Sequence, residues 1–376
     1  MTEDELNQRG TEWMSASSVG PGLWQTPPSV AFTLRDAAAA AMKLSVFASH
    51  WGTQGFFKGR TRKWLEGVKE EGFAGVEMSL NDLGGDDVER KATCKAIADH
   101  GLRLILGLYS GWVDYEGPWE AATPDAHLET LERQFDAAAA LPTATLAHVN
   151  VHAGCDSWAE DVAGPFLSRS LGLGARFLEA HPRVGAGVRS KDGLGGDPKH
   201  LQGVSFETHR GRCLFAPFGT MRYLNYIEPL RLTADLSHWH LVSERLFDDA
   251  PSFARLRDEV APCVDHLHAR IGSTQQSQLA PEARYWTADA HVPPFGDHAP
   301  HKVAAVSAHE KFWAAVWRHH RDRGAAEVLA TPEYGPPPYQ TKAPSKIDPN
   351  VEKHLWLQTC DAKNHLESVF ADVMDE

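Results

Sequence analysis

Basic residues are in short supply in this chain: 37 Lys and Arg face 50 Asp and Glu, a formal net charge of −13. Phosphate binding is driven by Lys and Arg releasing counterions, so the deficit argues against a nucleic-acid partner. Cysteine is sparse as well. The five residues, Cys94, Cys155, Cys213, Cys263 and Cys360, are odd in number, widely spaced and without a Cys-x-x-Cys pair. That excludes a disulfide frame or a zinc knuckle and fits the reduced thiols of a cytoplasmic protein. Long apolar runs are missing too. The longest, such as Leu104–Leu108, are strand-sized and fall far short of the ~20 residues that span a bilayer, so no membrane partner is expected. The start carries Glu3, Asp4 and Glu5, the reverse of a basic secretory leader. A glycine-rich phosphate loop is also lacking. The first apolar run leads into Ala48-Ser49-His50-Trp51-Gly52, which withholds what a nucleotide-binding, doubly wound sheet requires.

Hydrophobic residues make up 42% of the chain and charged residues 23%, enough apolar side chain for a large core. His (20) and Trp (12) are plentiful, which leans toward a polar pocket for a neutral or metal-bound ligand. Residues 1–42 hold Gly20-Pro21-Gly22 and Pro27-Pro28 without periodicity. They read as an N-terminal extension, surface-lying or disordered, before a domain covering 43–376. From Lys43 short apolar runs recur: Lys43–Ala48, Phe73–Met78, Leu102–Leu108, Leu146–Val151, Gly203–Phe206, Leu230–Ala234, Val264–Ala269 and Glu327–Thr331. Their near-continuous hydrophobicity is that of parallel strands buried on both faces. Helical patterns lie between them. Arg62–Glu71 puts Trp64, Leu65 and Val68 on one face, and Asp86–His100 directs Val88, Cys94, Ile97 and Ala98 inward. Asp125–Ala140, Trp158–Ala180, Ser252–Val260 and Val306–Arg321 behave alike, and a closing helix covers Asn350–Met374. Eight such units predict an α/β fold, a (β/α)₈ TIM barrel. Long loops follow strands 4 and 7, at Arg183–His200 and Ser273–His301.

In such a barrel the C-terminal ends of the strands converge on one axial site. The first strand ends in His50-Trp51, the second in Glu77, the third in Tyr109, and the fourth in Asn150 and His152. The fifth ends in Glu207-Thr208-His209-Arg210, the sixth in Asp235-Leu236-Ser237-His238, the seventh in His266-Leu267-His268-Ala269-Arg270, and the eighth in Glu333. Glu207, Asp235 and Glu333 aimed at one axis would repel one another if unpaired. A divalent cation removes the conflict, and with His268 these acids form an O₃N set suited to Mn²⁺, with Mg²⁺, Co²⁺ or Zn²⁺ as alternatives. His266 shares the face of His268 and is assigned to the barrel core or to support of the site. His238 is either a ligand or a substrate donor, the latter favoured. The run around His319-His320 reads as a solvated helix face, and Trp51, Trp239 and Trp286 as candidates for stacking on a bound ligand's ring.

The order Glu, Asp-x-x-His, His-x-His, Glu over strands five to eight resembles the xylose-isomerase-like TIM barrel superfamily. Phe206–Arg212, Leu232–Trp239, His266–Gly272 and Thr331–Pro336 are similar to its sugar phosphate isomerase/epimerase branch, of the AP endonuclease family 2 type. The resemblance covers roughly Met42 to Glu376. It implies a metal held by Glu207, Asp235, His268 and Glu333, with Glu207 and Glu333 catalytic and His238 and Arg270 on the substrate. His152, Glu77, His50, Trp51 and Arg210 complete the expected substrate-binding set. Arg210 and Arg212 suggest a substrate with an acidic or oxidised group, or a bridge to Glu77 or Asp235.

The implied activity is isomerisation or epimerisation of a sugar or sugar phosphate by proton transfer through a metal-bound enediolate, between two carboxylates. No Lys stands at a strand end, which speaks against a two-metal hydride shift. The alternative is a metal-dependent lyase or dehydratase on a keto-sugar or cyclitol, with His152 or His238 as acid. A non-catalytic sugar-binding barrel is more remote. A DNA-repair endonuclease is disfavoured because Glu77 and Tyr109 stand where extra His ligands would be needed, although Asp289-Ala290-His291 superficially fits one motif. The expected partner is a small sugar, with homo-oligomerisation open.

Overall fold

The computed structural model describes residues 42–111, 123–185, 202–228, 230–279, 299–336, 339 and 351–376. The N-terminal extension up to residue 41, residues 186–201 before the fifth strand, and residues 280–298, with Trp286 and Asp289–His291, lie outside them.

Eight parallel strands close into a barrel in sequence order: β1 (Lys43–Ser49), β2 (Gly75–Ser79), β3 (Arg103–Tyr109), β4 (Leu146–His152), β5 (Val204–Glu207), β6 (Leu232–Ala234), β7 (Val264–His268) and β8 (Glu327–Thr331). Pairing of β1 with β8, from Lys43 opposite Glu327 to Val46 opposite Ala330, closes the ring. The helices are α1 (His50–Thr53), α2 (Thr61–Glu70), α3 (Leu80–Leu83), α4 (Asp87–Asp99), α5 (Pro124–Ala139), α6 (Glu160–Ala180), α7 (Pro217–Tyr226), α8 (Leu236–Val242), α9 (Ala250–Arg255), α10 (Ala299–Asp322) and α11 (Val351–Asp375). The apolar strand runs therefore mark the strands to within about two residues. The short helices α1, α3 and α8, one turn or two beyond a strand end, carry too little periodicity to be read from sequence.

The main core lies between strands and helices, with Trp64, Phe166, Phe206, Trp313 and Trp317 buried in it. Phe47, Ile105 and Leu329 form a separate apolar plug, at positions that alternate with those facing the helices. Gly75 is required beside this plug, because a Cβ there would stand 2.2 Å from the Arg103 carbonyl oxygen and 2.6 Å from the Phe47 ring.

Three expectations are corrected. Val88 and Ala98 do not face inward: Val88 is 77% exposed and Ala98 is exposed, because α4 is buried only along the line of Cys94 and Ile97. The Ser252–Val260 helix is a short α-helix that continues as a π-turn over Leu256–Val260. The solvated face at His319-His320 is interrupted, since His320 is buried with Nε2 2.6 Å from the Val264 carbonyl oxygen. The five cysteines are free thiols. Among the described residues no helix is long and apolar enough to cross a membrane.

Candidate metal centre and cavity

Four strand ends bring Glu207, Asp235, His268 and Glu333 together, with one ligand atom from each lying within 4.8 Å of the others. Glu207 ends β5, and His268 ends β7. Asp235 follows β6 and caps α8, its Oδ1 accepting from Ser237 N at 2.9 Å and Ser237 Oγ at 2.5 Å. Glu333 follows β8 and is the most open of the four, with 17% of its side chain exposed.

The surroundings hold each group in a defined state. Glu207 Oε2 accepts from Asn150 Nδ2 at 2.7 Å and pairs with His152 Nε2 at 2.7 Å. Burial alone would raise its carboxyl, but His152 and His268 outweigh that and hold it well below the usual range. His268 Nδ1 stands 3.4 Å from both Glu207 Oε2 and Glu333 Oε2, and Nε2 is 2.9 Å from Glu77 Oε1. Burial opposes charge on this imidazole, yet Glu77, Glu207 and Glu333 raise it well above the ordinary histidine value. Burial raises the Asp235 carboxyl despite the guanidinium of Arg270 bonded to Oδ2.

The donor set fits a divalent cation. Glu207 Oε1 is buried without a hydrogen-bond partner in the structure, and the carboxylates that draw positive charge onto His268 would equally hold a divalent cation in place of its Nδ1 proton. Asp235 is the most committed member, since Ser237 takes Oδ1 and Arg270 takes Oδ2.

A cavity of about 810 Å³ adjoins the cluster. Glu333, Arg270, His152 and Trp51 line it, with Tyr109 and His209. The indole of Trp51 packs edge-on against Tyr339 at 5.0 Å. It rests on bare backbone at Gly335, where a Cβ would come within 1.8 Å of the ring.

The other expected substrate contacts are placed differently. Glu77 is buried against His268 and His266 and does not line the cavity. It does not end its strand as expected: β2 runs on to Ser79, and Glu77 pairs in register with Ile105, four residues before Tyr109. His238 is fully buried and accepts from Arg270 Nη2 at 2.8 Å, off the cavity wall. Burial, then His209 and Arg270, keep it well below the usual histidine value. His50 pairs with Asp82 at 3.1 Å behind the wall. Arg210 lies over the Tyr339 ring at 4.7 Å. Arg212 bridges neither Glu77 nor Asp235: its Nη1 donates to the carbonyls of Gly111 and Gly154. Asp235 is met by Arg270 instead. Trp239 is buried with Nε1 bonded to the Leu214 carbonyl, so it is no sugar platform.

Sequence reasoning gave no role to Asn150, His209 or Tyr339. The signal for Asn150 was its spacing two residues before His152, which puts both on one strand face. Tyr339 sits in a proline-rich stretch that gives no hint of its return to the site.

No family model matches the sequence, and no curated protein matches it. Solved structures do. A xylose isomerase-like TIM barrel protein from Mycobacterium smegmatis in complex with magnesium is 14% identical, with 88% of this chain and 97% of that one covered and a TM-score of 0.47. A D-psicose 3-epimerase with D-tagatose from Clostridium cellulolyticum is 13% identical over 88% and 99% of the chains, TM-score 0.45. A probable 3-DHS dehydratase, AsbF, from Bacillus anthracis is 14% identical over 84% and 97%, TM-score 0.46. The barrel architecture itself rests on the closed ring of eight parallel strands.

Proposed function

We propose that the protein is a divalent-metal-dependent isomerase or epimerase acting on a sugar or sugar phosphate. The observation that carries the reading is the meeting of Glu207, Asp235, His268 and Glu333 at one end of a closed barrel, with Glu333 opening on the adjoining cavity. A divalent cation there, manganese by preference, would polarise a sugar carbonyl and its neighbouring hydroxyl and so acidify the adjacent C–H bond. Glu333 is the carboxylate that reaches the cavity and takes the proton from carbon. Glu207 stands across His268 from it and would return to carbon a proton relayed from the cavity through His152, which lines it and is bonded to Glu207 Oε2, as is Asn150. Trp51 and Tyr109 offer aromatic surface to the C–H face of a sugar. Burial and the surrounding carboxylates keep the Tyr109 phenol protonated, its acidity pushed well away from neutral pH.

A lyase or dehydratase is the second reading. It is favoured by the position of His152, which lines the cavity while paired with Glu207 and could protonate a leaving group.

The test is metal analysis of the purified, Mn²⁺-treated protein together with solvent-deuterium exchange over a panel of ketoses, 3-keto sugars and their phosphates. Bound metal with exchange at the carbon next to the carbonyl is expected. Loss of water or of a substituent from the substrate would shift the assignment to the lyase. A protein that retains no divalent ion and exchanges no substrate proton would sink both readings.

A further inference from the structure

The interior of a parallel eight-stranded barrel is ordinarily filled by branched aliphatic side chains. In this chain the layer beneath the carboxylate cluster is polar. His148 Nε2 meets Ser205 Oγ at 2.6 Å, and Ser205 Oγ meets Thr233 Oγ1 at 2.5 Å. Thr233 Oγ1 lies 3.3 Å from His266 Nδ1, and His266 Nε2 lies 2.9 Å from Thr331 Oγ1. Glu77 stands at the upper end of this chain of contacts. Its Oε2 is 3.8 Å from His266 Nε2, and its Oε1 is 2.9 Å from His268 Nε2 and 3.4 Å from Asn150 Nδ2. Every one of these residues is buried.

Buried polar groups cost free energy unless they are paired, and the contacts above pair much of this layer, while Glu77 Oε2, His148 Nδ1 and Asn150 Oδ1 have no hydrogen-bond partner. A neutral imidazole carries its proton on one nitrogen and its lone pair on the other. A carboxylate can only accept, so the nitrogen that faces Glu77 must be the N–H. Nδ1 stands 3.4 Å from Glu207 and Glu333, so in the metal-free protein it faces carboxylates too, and a cation bound among them takes the place of the Nδ1 proton while Glu77 keeps the one on Nε2. The other face of the ring also has donors, since Glu77, His266 and His268 come within 4.8 Å of one another. The choice of face is therefore a real one.

We propose that Glu77 is a positioning residue: by accepting the Nε2 proton of His268 it presents Nδ1 to Glu207, Asp235 and Glu333 and decides which face of the imidazole takes the cation. The proposal rests on reading those four residues as a metal site. Asn150, bonded to both Glu77 and Glu207, ties the two carboxylates to one frame. Comparable partners of metal-bound histidines are worth about 10–100-fold in metal affinity.

The experiment compares Mn²⁺ affinity, by competition with a chelator, in the wild type, Glu77→Leu and Glu77→Gln. It also records ¹⁵N spectra of the histidine rings in the Zn²⁺-loaded wild type, with His268→Asn assigning the signal. Glu77→Leu should weaken Mn²⁺ binding by about 10–100-fold. Glu77→Gln should recover most of it, because the amide oxygen still accepts from Nε2. The His268 signal should report metal on Nδ1 and a proton on Nε2. Unchanged affinity in Glu77→Leu, or metal on Nε2, would overturn the inference while leaving the metal site standing. A wild type that takes up no Mn²⁺ or Zn²⁺ would overturn the metal reading and this inference with it. If Glu77→Leu does not fold, the wild-type spectrum and the Gln variant still decide the matter.

Discussion

The guanidinium of Arg270 lies against the carboxylate of Asp235 with both side chains almost wholly buried, so one of the four clustered donors is already paired with a fixed cation. Arg270 also reaches Ser237 Oγ at 3.2 Å and His238 Nε2 at 2.8 Å, and its Nη1 stands 3.6 Å from Glu333. Two carboxylates thus share the positive charge of one arginine before any ligand arrives. Burial works against this guanidinium, but Asp235 and Glu333 keep it firmly charged.

Removing that charge leaves buried carboxylates uncompensated. Arg270→Met should lower the stability of the metal-free protein by about 3–5 kcal/mol, the usual cost of breaking one side of a buried pair. Added Mn²⁺ should raise the melting temperature of the variant more than that of the wild type, because the ion replaces the lost charge. Calorimetry with and without Mn²⁺ checks this. An unchanged melting temperature in the metal-free variant would show that Asp235 is already neutral.

Glu207 and Glu333 are proposed to bind metal and to move the proton. Gln keeps an oxygen donor but accepts no proton at neutral pH. With metal saturating, Glu207→Gln and Glu333→Gln should each lose roughly 10²–10⁴-fold in turnover. Deuterium exchange into substrate should fall in parallel. Near-normal exchange in both variants would move the base to His152 and favour the lyase reading.

Gly335 lets the indole of Trp51 lie on the backbone beside the cavity, and a Cβ there would sit 1.8 Å from that ring. Gly335→Ala must therefore push Trp51 out of its place against Tyr339. KM should rise several-fold with little change in melting temperature, because Trp51 is already 40% exposed. Equal KM values would mean that Trp51 takes no part in substrate binding.

Much of this arrangement is legible in the sequence, and the reasons are physical. Strands buried on both faces must be nearly continuous in hydrophobicity, so Leu146–His152 and Val264–His268 declare themselves. Polar residues at the ends of such runs have only the barrel mouth to occupy, and so Glu207, Asp235, His268 and Glu333 could be picked out together. The polar layer below was hidden, because Ser205, Thr233 and His148 alternate with apolar residues and look like ordinary strand positions. Arginine chemistry was ambiguous as well. Arg212 and Arg270 both suit a substrate anion by composition, but one props carbonyls and the other neutralises Asp235. His320 was misread because the same residue type serves a solvated face and a buried bond to a carbonyl.

A last prediction concerns acid stability away from the cluster. His240 on α8 is fully buried, and neither ring nitrogen has a hydrogen-bond partner in the structure. Its ring packs edge-on against His309 of α10 at 4.7 Å. Burial, and then the neighbouring imidazole, hold His240 well below the ordinary histidine value. Burial likewise lowers His309 to about 4, although its contact with the Ala305 carbonyl works the other way. Both therefore remain neutral in the fold while their unfolded counterparts titrate near about 6.5. Between those values the unfolded chain binds more protons, so stability is fully present above about pH 6.5 and is lost as the pH falls toward 4. His240→Leu removes one of the two groups without deserting a hydrogen-bond partner. Urea unfolding at about pH 7.5 should find the variant close to the wild type. At about pH 5 the variant should be the more stable by an amount of order ~1–2 kcal/mol, the worth of roughly one pKa unit. Parallel pH dependence in the two proteins would show that His240 does not stay neutral in the fold.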